Sequence, residues 1–172
     1  MRLFFTIALT LFLSSTVWGS ARYQIPDKIV YNGKIYDLEN RLLESYFKQY
    51  PEKRPEVKRR THYLRRGYVA TFEIKDNQLY LKDIEILINN PRLICSDTIW
   101  ESVLNEVFPN QESVKMDWIT GSLGTSCWFW RRCVTADDRC EYNRNGILLK
   151  IKEGKLKKTK KVSRKKMKKI KE

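Results

Sequence analysis

Apolar and polar side chains alternate along residues 67–86, which read GYVATFEIKDNQLYLKDIEI. A two-residue period is typical of a half-buried β-strand. The pair Asp76-Asn77 in the middle tolerates the positive φ that a tight hairpin turn needs. The pattern therefore predicts an antiparallel hairpin with one apolar face. Closing it on this pair gives three cross-strand pairs: Ile74–Leu79, Phe72–Leu81 and Glu73–Tyr80.

Farther from the turn, the same register no longer keeps the apolar residues together. It sets Val69 against Ile84 but Ala70 against Asp83, so the apolar face switches sides. One extra residue in one strand, a β-bulge, has this effect. We predict a bulge near residues 82–84.

On the N-terminal side, the sequence predicts a short hairpin and then a helix. Residues 23–36 form an extended segment around Asn32-Gly33, a strong hairpin-turn dipeptide. Asn40 is a candidate N-cap for a helix of about ten residues that Pro51 ends. The apolar residues of this helix share one side: Leu42, Leu43, Tyr46, Phe47 and Tyr50. Its aromatic residues are compatible with a ligand face, although such a stripe more often packs into a core.

On the C-terminal side, the pattern predicts a second helix and a further strand. Ser96 or Asp97 can cap the helix, and Pro109 lies just beyond its end. The apolar face of this helix consists of Trp100, Val103, Leu104 and Val107. Residues 114–118 alternate as a strand does, with Trp118 on the same side as Val114 and Met116. Residues 120–124, which include two glycines, predict a turn or a bulge.

Residues 148–156 repeat the hairpin pattern in a shorter form. LKIKEGKLKK can be laid over FEIKDNQLYLK with Glu153-Gly154 in register with the turn pair of the first hairpin. This similarity suggests a duplicated strand-turn-strand unit, and the ordered domain is expected to end between residues 156 and 162. Residues 163–172 contain too few apolar side chains to fold alone.

Residues 1–21 have the three parts of a signal peptide. Arg2 supplies the positive charge, residues 3–13 form an apolar run, and residues 14–21 are small and weakly polar. Cleavage is expected after Ala21 or, alternatively, after Gly19. The apolar run is shorter than the roughly 20 residues that span a bilayer. We therefore expect a periplasmic or secreted protein rather than one held by an uncleaved membrane anchor.

The positive charge of the chain is concentrated at its C-terminal end. The whole sequence has a formal net charge of +14; residues 150–172 contribute +11, and residues 22–149 contribute only +2. A basic tail binds polyanions with salt-sensitive affinity that does not depend on their sequence. The alternative is a tail that only keeps the protein soluble. The candidate contacts are Lys157, Lys158, Lys160 and Lys161.

Four cysteines follow the predicted cleavage site: Cys95, Cys127, Cys133 and Cys140. An even number of cysteines in an exported chain predicts disulfides, and three pairings are possible. A zinc site is the weaker interpretation because five and six residues separate the last three cysteines, and His62, the lone histidine, is far from them. We predict neither a metal nor a cofactor.

The cysteine-rich loop 127–140 also contains an amphipathic patch in which Phe129 lies among tryptophans and arginines. Aromatic and arginine side chains are enriched at binding hot spots. The candidate binding residues are Trp128, Trp130, Arg131 and Arg132. The alternative is that disulfides tether the loop and bury its aromatic side chains.

No recognisable catalytic arrangement is present in the sequence. It has neither a Ser/His/Asp set in a known local context nor a glycine-rich phosphate loop. His62 has no neighbouring carboxylate to orient it. Asp83 and Glu85 share a face of the predicted strand and can in principle act as acid and base, although such pairs are common on exposed strands. We assign no catalytic residue.

Two stretches resemble an uncharacterised family of exported bacterial proteins: RRGYVATFEIKDNQLYLKDIEI at residues 65–86 and VFPNQESVKMDWITGSL at residues 107–123. In that family an IP…YNGK…YDL segment, matched here by residues 25–38, precedes an RGY-type strand and an FP…V…DW.TG.L block. The loop 127–140 and the lysine-rich tail depart from the family pattern. The resemblance implies export and a strand-rich domain but no particular activity.

These features predict an α+β protein with a single domain dominated by antiparallel β-sheet and two short helices. The expected divisions are a signal peptide (1–21), the β-rich domain (22–156) and a basic, disordered tail (157–172). We expect a non-catalytic protein that binds an envelope protein or a polyanion, with an inhibitor or immunity-type role as one form. The alternatives are an envelope hydrolase whose carboxylates converge only in the fold, and a polyanion-binding carrier that acts through its tail. Nothing in the sequence indicates sequence-specific nucleic-acid binding, and the cleaved chain is not expected to span a membrane.

Overall fold

A computed structural model describes residues 24–59, 61–89, 99–126 and 145–163, which form nine β-strands and two short α-helices. The predicted class is confirmed, since a large and mainly antiparallel sheet dominates the structure. In chain order the elements are β1 (Asp27–Tyr31), β2 (Lys34–Leu38), α1 (Leu43–Gln49), a 3₁₀ turn (Pro51–Lys53), β3 (Tyr68–Lys75), β4 (Gln78–Leu87), β5 (Trp100–Ser102), α2 (Leu104–Val107), β6 (Val114–Lys115), β7 (Gly121–Ser126), β8 (Asn145–Lys152) and β9 (Lys155–Ser163).

Three two-residue turns connect the strands into hairpins. They are Asn32-Gly33 between β1 and β2, Asp76-Asn77 between β3 and β4, and Glu153-Gly154 between β8 and β9. All six residues have positive φ, between 49° and 71°. Turns with two positive φ values match the right-handed twist of the flanking strands. The hairpin predicted at residues 67–86 is confirmed together with its three cross-strand pairs.

The predicted bulge is also present. Strand β4 contains one extra residue, Lys82, where the β3–β4 register shifts between Thr71 and Phe72. Beyond this point Ala70 faces Ile84, and both side chains are completely buried. The bulge therefore keeps the apolar face of the hairpin continuous.

A bulge of the same kind occurs in β9. Lys157 is the extra residue between the pairs Ile151–Leu156 and Lys150–Lys158. Both hairpins thus combine a two-residue turn with a one-residue bulge in the second strand, in agreement with the similarity of their sequences.

The strand pairings close on themselves. β3 pairs with β4 and, in parallel, with β1; from β1 the order continues through β2, β7, β8 and β9 back to β4. These seven strands form a ring, and β5 and β6 pair with β4 in addition. Within the described ranges, every strand pairing except β1–β3 is antiparallel.

The contact that closes the ring, which we call the seam, is short. It consists of one residue pair between β4 and β9, Gln78–Lys155. Two backbone hydrogen bonds flank this pair: the Leu79 N–H donates to the Gly154 carbonyl oxygen (2.8 Å) and the Leu156 N–H donates to the Asn77 carbonyl oxygen (2.7 Å).

One main core fills the ring. Strands β1, β2, β3, β4, β7 and β8 all contribute to it, and Leu43 and Phe47 of α1 complete it. Complete burial of such side chains contributes about 1.5–3 kcal/mol each. The largest fully buried side chains include Tyr68, Phe72, Ile29, Leu38, Leu81, Met116 and Leu149.

Helix α1 forms within the predicted range, but Asn40 does not cap it. The N-cap position is Leu42, which makes no side-chain capping bond. The Asn40 side chain instead accepts a hydrogen bond from the Gly124 N–H (2.8 Å) and donates one to the Ser122 carbonyl oxygen (3.3 Å). Strand β2 pairs only with Thr125 and Ser126 of β7, which leaves the rest of that edge of β7 open. The Asn40 side chain satisfies two backbone groups of this open part.

Among the described residues, the second predicted helix is present only at Leu104–Val107 and is wrong before it. Trp100 lies in strand β5, where it pairs with Leu87 of β4, and α2 is only four residues long. Pairing with β4 overrides the helical spacing of the apolar residues, as tertiary context often does. The candidate caps Ser96 and Asp97 lie outside the described residues.

The strand predicted at residues 114–118 and the turn predicted at 120–124 also need correction. β6 ends at Lys115, because the Ile119 N–H donates to the Met116 carbonyl oxygen (3.2 Å) and the chain turns back. As a result Trp118 lies in a turn and is 47% exposed. Residues 121–126 form strand β7, since they pair with β8 and β2 despite their two glycines.

Strand β9 extends beyond the predicted domain boundary at residue 156. Residues 157–163 of the predicted tail belong to the sheet. The reason is that β9 contributes apolar contacts at both ends: Leu156 packs against the core and Val162 is 4% exposed.

Several predictions concern residues outside the described ranges and stay predictions. They are the signal peptide at residues 1–21, the cysteines Cys95, Cys127, Cys133 and Cys140, and the aromatic and arginine residues Trp128, Trp130, Arg131 and Arg132.

Candidate functional site

Five lysine side chains share the outer face of the β8–β9 hairpin. Leu149 and Ile151 of β8 point into the core, so the residues between and beyond them point outward. Directly opposed residues of an antiparallel pair lie on the same face. The register therefore assigns five exposed residues to the outer face, which we call the lysine face: Lys150, Lys152, Lys155, Lys158 and Lys160.

Two pairs of lysines stand directly opposite each other on this face. Lys150 pairs with Lys158, and Lys152 pairs with Lys155. Like charges in such positions destabilise a sheet. Within the described ranges, no carboxylate lies within ion-pair distance of the lysine face. Glu153, in the turn, is the one acidic residue between positions 145 and 163.

The four tail lysines predicted as contacts do not all point the same way. Lys158 and Lys160 belong to the lysine face, Lys157 is the bulge residue, and Lys161 lies opposite Ile147 on the inner side of the strand pair. Lys155 begins the lysine-rich stretch predicted to bind polyanions, whereas sequence reasoning did not identify Lys150 and Lys152 as contacts. The Glu153-Gly154 turn in the sequence indicates a hairpin and hence which lysines flank the turn. It does not indicate the bulge at Lys157, and the bulge determines which lysines of β9 face outward.

The turn of this hairpin is fixed against the rest of the molecule. The Gly154 N–H donates to the Ile119 carbonyl oxygen (2.8 Å). A Cβ atom at Gly154 would lie 2.6 Å from the Met116 carbonyl oxygen and 2.5 Å from Nε2 of Gln78. Only glycine fits here, because the backbone of another segment occupies the space of a side chain. The lysine face is therefore held on a well-anchored hairpin.

A cleft of about 310 Å³ lies beside the lysine face, between the start of α1, the turn at Trp118 and strand β7. Its apolar lining residues are the buried Leu42, Ile119 and Leu123. Its polar lining residues are Asn40, Arg41, Ser45, Thr120 and Ser122. This volume is near the lower end of the roughly 300–1,000 Å³ of small-molecule sites. We call it the aromatic cleft because of the indole at its rim.

The indole of Trp118 is held in place by other aromatic rings. It stacks on Tyr46 with ring centroids 6.0 Å apart and an angle of 26° between the planes. Tyr46 in turn contacts Phe108 (5.2 Å) and Tyr50 (5.0 Å). Of the predicted helical stripe, Tyr50 is exposed, Tyr46 is half-buried against the core, and Leu43 and Phe47 are buried. Sequence reasoning missed Trp118, since strand periodicity placed its side chain with those of Val114 and Met116.

The aromatic cleft and the lysine face are adjacent. Ser122, which lines the cleft, pairs directly with Lys150, and Lys150 pairs with Lys158 on its other side. These three residues form a row across β7, β8 and β9, with about 4.8 Å between neighbouring strands. Thr120 of the cleft accepts a hydrogen bond from the Glu153 N–H (2.9 Å), which ties the cleft to the hairpin turn.

A second cluster of charged side chains lies inside the molecule. Asp27 is completely buried, where it contacts Arg66 at 2.8 Å and accepts a hydrogen bond from the Ala70 N–H at 2.7 Å. Burial raises the pKa of Asp27 to about 6, although the Arg66 guanidinium and the Ala70 N–H act in the opposite direction. Because Asp27 is not accessible to a substrate, we regard the cluster as structural.

The same cluster joins α1 to the sheet. Tyr68 donates to Glu44 of α1 (2.9 Å), and Arg54 binds both oxygens of Glu44 (3.1 and 3.3 Å). Partial burial raises the pKa of Glu44, but these hydrogen bonds hold it below its usual value. Burial and the nearby carboxylates raise the pKa of the Tyr68 hydroxyl well above its usual range.

The carboxylates considered for catalysis do not converge. Asp83 accepts hydrogen bonds from the Ser102 hydroxyl (2.6 Å) and the Ile84 N–H (2.8 Å), whereas Glu85 forms an ion pair with Lys28 (3.0 Å). Among the residues described, no group of three or more His, Cys, Asp or Glu side chains is arranged to hold a metal ion.

Comparison of the chain with protein-family models, curated proteins and solved structures found no match. The resemblance noted from the sequence motifs therefore stays a prediction, and function has to be inferred from geometry. None of the helices in the described part of the chain has the length and apolar character needed to cross a membrane.

Proposed function

We propose that this protein is a non-catalytic binding protein that holds an anionic polymer on its lysine face. The observation that carries the proposal is the two directly opposed lysine pairs, Lys150–Lys158 and Lys152–Lys155, which have no carboxylate within ion-pair distance in the described ranges. If the protein is exported, as its N-terminal sequence predicts, the acidic polymers of the cell envelope are the available partners.

Electrostatics gives the physical reason. Like charges opposite each other on a sheet cost about 0.2–1 kcal/mol per pair. A bound polyanion reverses the sign of this interaction, since each anionic group is then shared by neighbouring lysines. The spacing suits a polymer, because the backbone positions that carry the lysines lie about 4.8 Å apart across the strands and about 6.8 Å apart between alternate residues of β8. Affinity of this kind falls steeply as salt rises.

Salt elution from immobilised heparin tests the proposal. The double substitution Lys150→Gln with Lys158→Gln removes two charges from the centre of the lysine face. The matched control removes two exposed charges elsewhere, Lys48→Gln with Arg59→Gln. We expect the first variant to elute at clearly lower salt than the control. Equal elution of the two variants would overturn the proposal, since net charge alone would then explain retention.

A second comparison separates the lysine face from the C-terminal residues. A chain that ends at Ser163 keeps all of β9 and loses residues 164–172, with a net charge of +5. We expect this chain to retain heparin binding that still depends on Lys150 and Lys158. Loss of all retention on shortening would locate the site in residues 164–172 and contradict the proposal.

A further inference from the structure

We infer that the aromatic cleft and the lysine face form one continuous site for an acidic polysaccharide. This inference rests on the proposed function, because the lysine face supplies the charge recognition. It adds the class of polymer and a specific residue that recognises it, Trp118.

The geometry provides a path for a chain molecule. The row Ser122–Lys150–Lys158 leads from the rim of the cleft across two strands onto the centre of the lysine face. Arg41, which is exposed and lines the cleft near the start of α1, offers a further positive charge. A polymer lying in the cleft and along this row therefore meets cations in the cleft and on the lysine face.

The exposed indole provides a surface for a sugar ring. The C–H groups on one face of a sugar carry partial positive charge, and the faces of aromatic rings are negative. Trp118 is 47% exposed, and its stack on Tyr46 holds the ring in one orientation. A fixed aromatic ring loses little conformational freedom when it binds, so the contact favours affinity.

The polar residues of the cleft distinguish a polysaccharide from a nucleic acid. Asn40, Ser45, Thr120 and Ser122 are uncharged. Beyond the internal hydrogen bonds of the first three, Asn40 keeps one amide N–H, Thr120 keeps its hydroxyl proton and Ser45 keeps its capacity to accept. They outnumber the single cleft arginine, which suits a ligand with several hydroxyls for each charge. A nucleic acid has a phosphate on every unit and few hydroxyls, and single-strand binding sites use several stacking platforms along a basic groove.

Binding of a galacturonic acid oligomer to the whole chain tests the inference, with its methyl ester and inorganic polyphosphate as comparison ligands. The ester keeps the sugar but loses the charge, and polyphosphate keeps the charge but has no sugar. We expect Trp118→Ala to weaken galacturonate binding roughly tenfold, as expected for an aromatic hot spot, and to leave polyphosphate binding unchanged. Lys150→Gln with Lys158→Gln should weaken the binding of both anions. The ester should bind more weakly than the acid.

Two further variants control for effects on folding. Tyr50→Ala removes another exposed ring of the same cluster (40% exposed), one that does not line the cleft, and should leave binding unchanged. Trp118→Tyr keeps an aromatic face and should restore most of the affinity. Thermal unfolding of each variant checks that the fold is intact.

The outcomes separate this inference from the proposed function. If the lysine substitutions weaken polyphosphate binding but Trp118→Ala leaves galacturonate binding unchanged, the lysine face stands and the polysaccharide site is wrong. If the lysine substitutions affect neither anion, the proposed function itself is wrong. Tighter binding of oligothymidylate than of galacturonate, with the same dependence on Trp118, would assign the site to single-stranded nucleic acid and overturn the inference.

Discussion

Gly33 and Gly154 adopt the same backbone conformation, with φ of 71°, in different surroundings. A Cβ atom at Gly33 would have no neighbour within 4 Å, whereas one at Gly154 would meet the backbone of Met116. Gly33→Ala should therefore cost only the left-handed strain, about 1 kcal/mol of unfolding free energy. Gly154→Ala should cost about 1–3 kcal/mol more, because the seam must shift to make room.

Urea unfolding of the two variants measures this difference, and the shared φ makes Gly33→Ala the control for strain. Equal destabilisation would show that the Glu153-Gly154 turn moves easily away from Met116. The anchoring of the lysine face would then be weaker than the hydrogen bonds at the turn indicate.

Asp27 makes the stability of the molecule depend on pH in an unusual direction. Its pKa is about 6 in the folded protein, above the usual value of 3.8, because burial outweighs the attraction of Arg66. The folded state therefore holds this proton more tightly than the unfolded state does. The stabilisation from Asp27 is complete below about pH 4 and is lost as pH rises through about 6, with a total of about 3 kcal/mol.

The difference in unfolding free energy between the wild type and Asp27→Asn isolates this contribution, since most other titrating groups cancel. We expect the wild type to lose stability relative to the variant between pH 4 and pH 7. A relative gain over the same range would mean that the ion pair with Arg66 dominates over burial.

Repulsion between the directly opposed lysines lowers the stability of the β8–β9 hairpin. Replacing Lys150 and Lys158 by glutamine should raise the unfolding free energy at low salt by up to about 1 kcal/mol. The gain should shrink at high salt, where the repulsion is screened. Lys48→Gln with Arg59→Gln, which removes no cross-strand pair, should give no such gain. A substitution that weakens binding while it stabilises the fold would mark the lysine pairs as functional.

A loss of stability in the lysine double variant at all salt concentrations would contradict this account. It would mean that the stems of the two lysines pack on the sheet, and that their charges matter less than their contacts.

Local sequence signals predicted the hairpins because their information lies in adjacent residues. Asn32-Gly33, Asp76-Asn77 and Glu153-Gly154 each set a turn, and the displaced apolar pattern at Ala70 revealed the bulge in β4. Strands β5 and β7 were missed because no short turn joins them to their partners. Trp100 pairs with Leu87, and Gly121 pairs with Ile151, so tertiary pairing overrides a helical spacing and a glycine-rich stretch.

The candidate site was only partly predictable for the same reason. Lysine enrichment was visible in the sequence, but the lysine face depends on the register of β8 against β9 and on the bulge at Lys157. The aromatic cleft joins the start of α1 to residues 118–123, which are about seventy positions away. No periodicity within either segment indicates that Tyr46 and Trp118 stack.

At the scale of the whole molecule, more than half of the positive charge at the C-terminal end lies in folded strands and not in a tail. Of the +11 carried by residues 150–172, +6 lies within the strands and turn of the β8–β9 hairpin, and +5 lies beyond Ser163. The remainder of the predicted mature chain is close to neutral. The electric field of the described protein is thus focused at one hairpin, which favours approach of a polyanion from that side.

Truncation tests whether β9 is part of the domain. A chain that stops at Leu156 loses most of β9, including the buried Val162, and leaves the β9-facing edge of β8 unpaired along most of its length, while β8 keeps its pairing with β7. We expect this chain not to fold cooperatively, whereas a chain that stops at Ser163 should unfold at about the same temperature as the full chain. Circular dichroism during heating measures both. A cooperative transition in the shorter chain would show that the domain folds without most of β9, as the predicted boundary at residue 156 implies.

The short seam has a consequence for the order in which the protein folds. Gln78 and Lys155 are neighbours in the ring but 77 positions apart along the chain. Loop closure over such a distance is entropically costly and slows folding, so we expect the three hairpins to form before the ring closes. Until then β4 and β9 both present an open edge that another chain can pair with. The interval before closure is therefore when newly made copies are most prone to aggregate, and whatever speeds closure protects the yield of native protein.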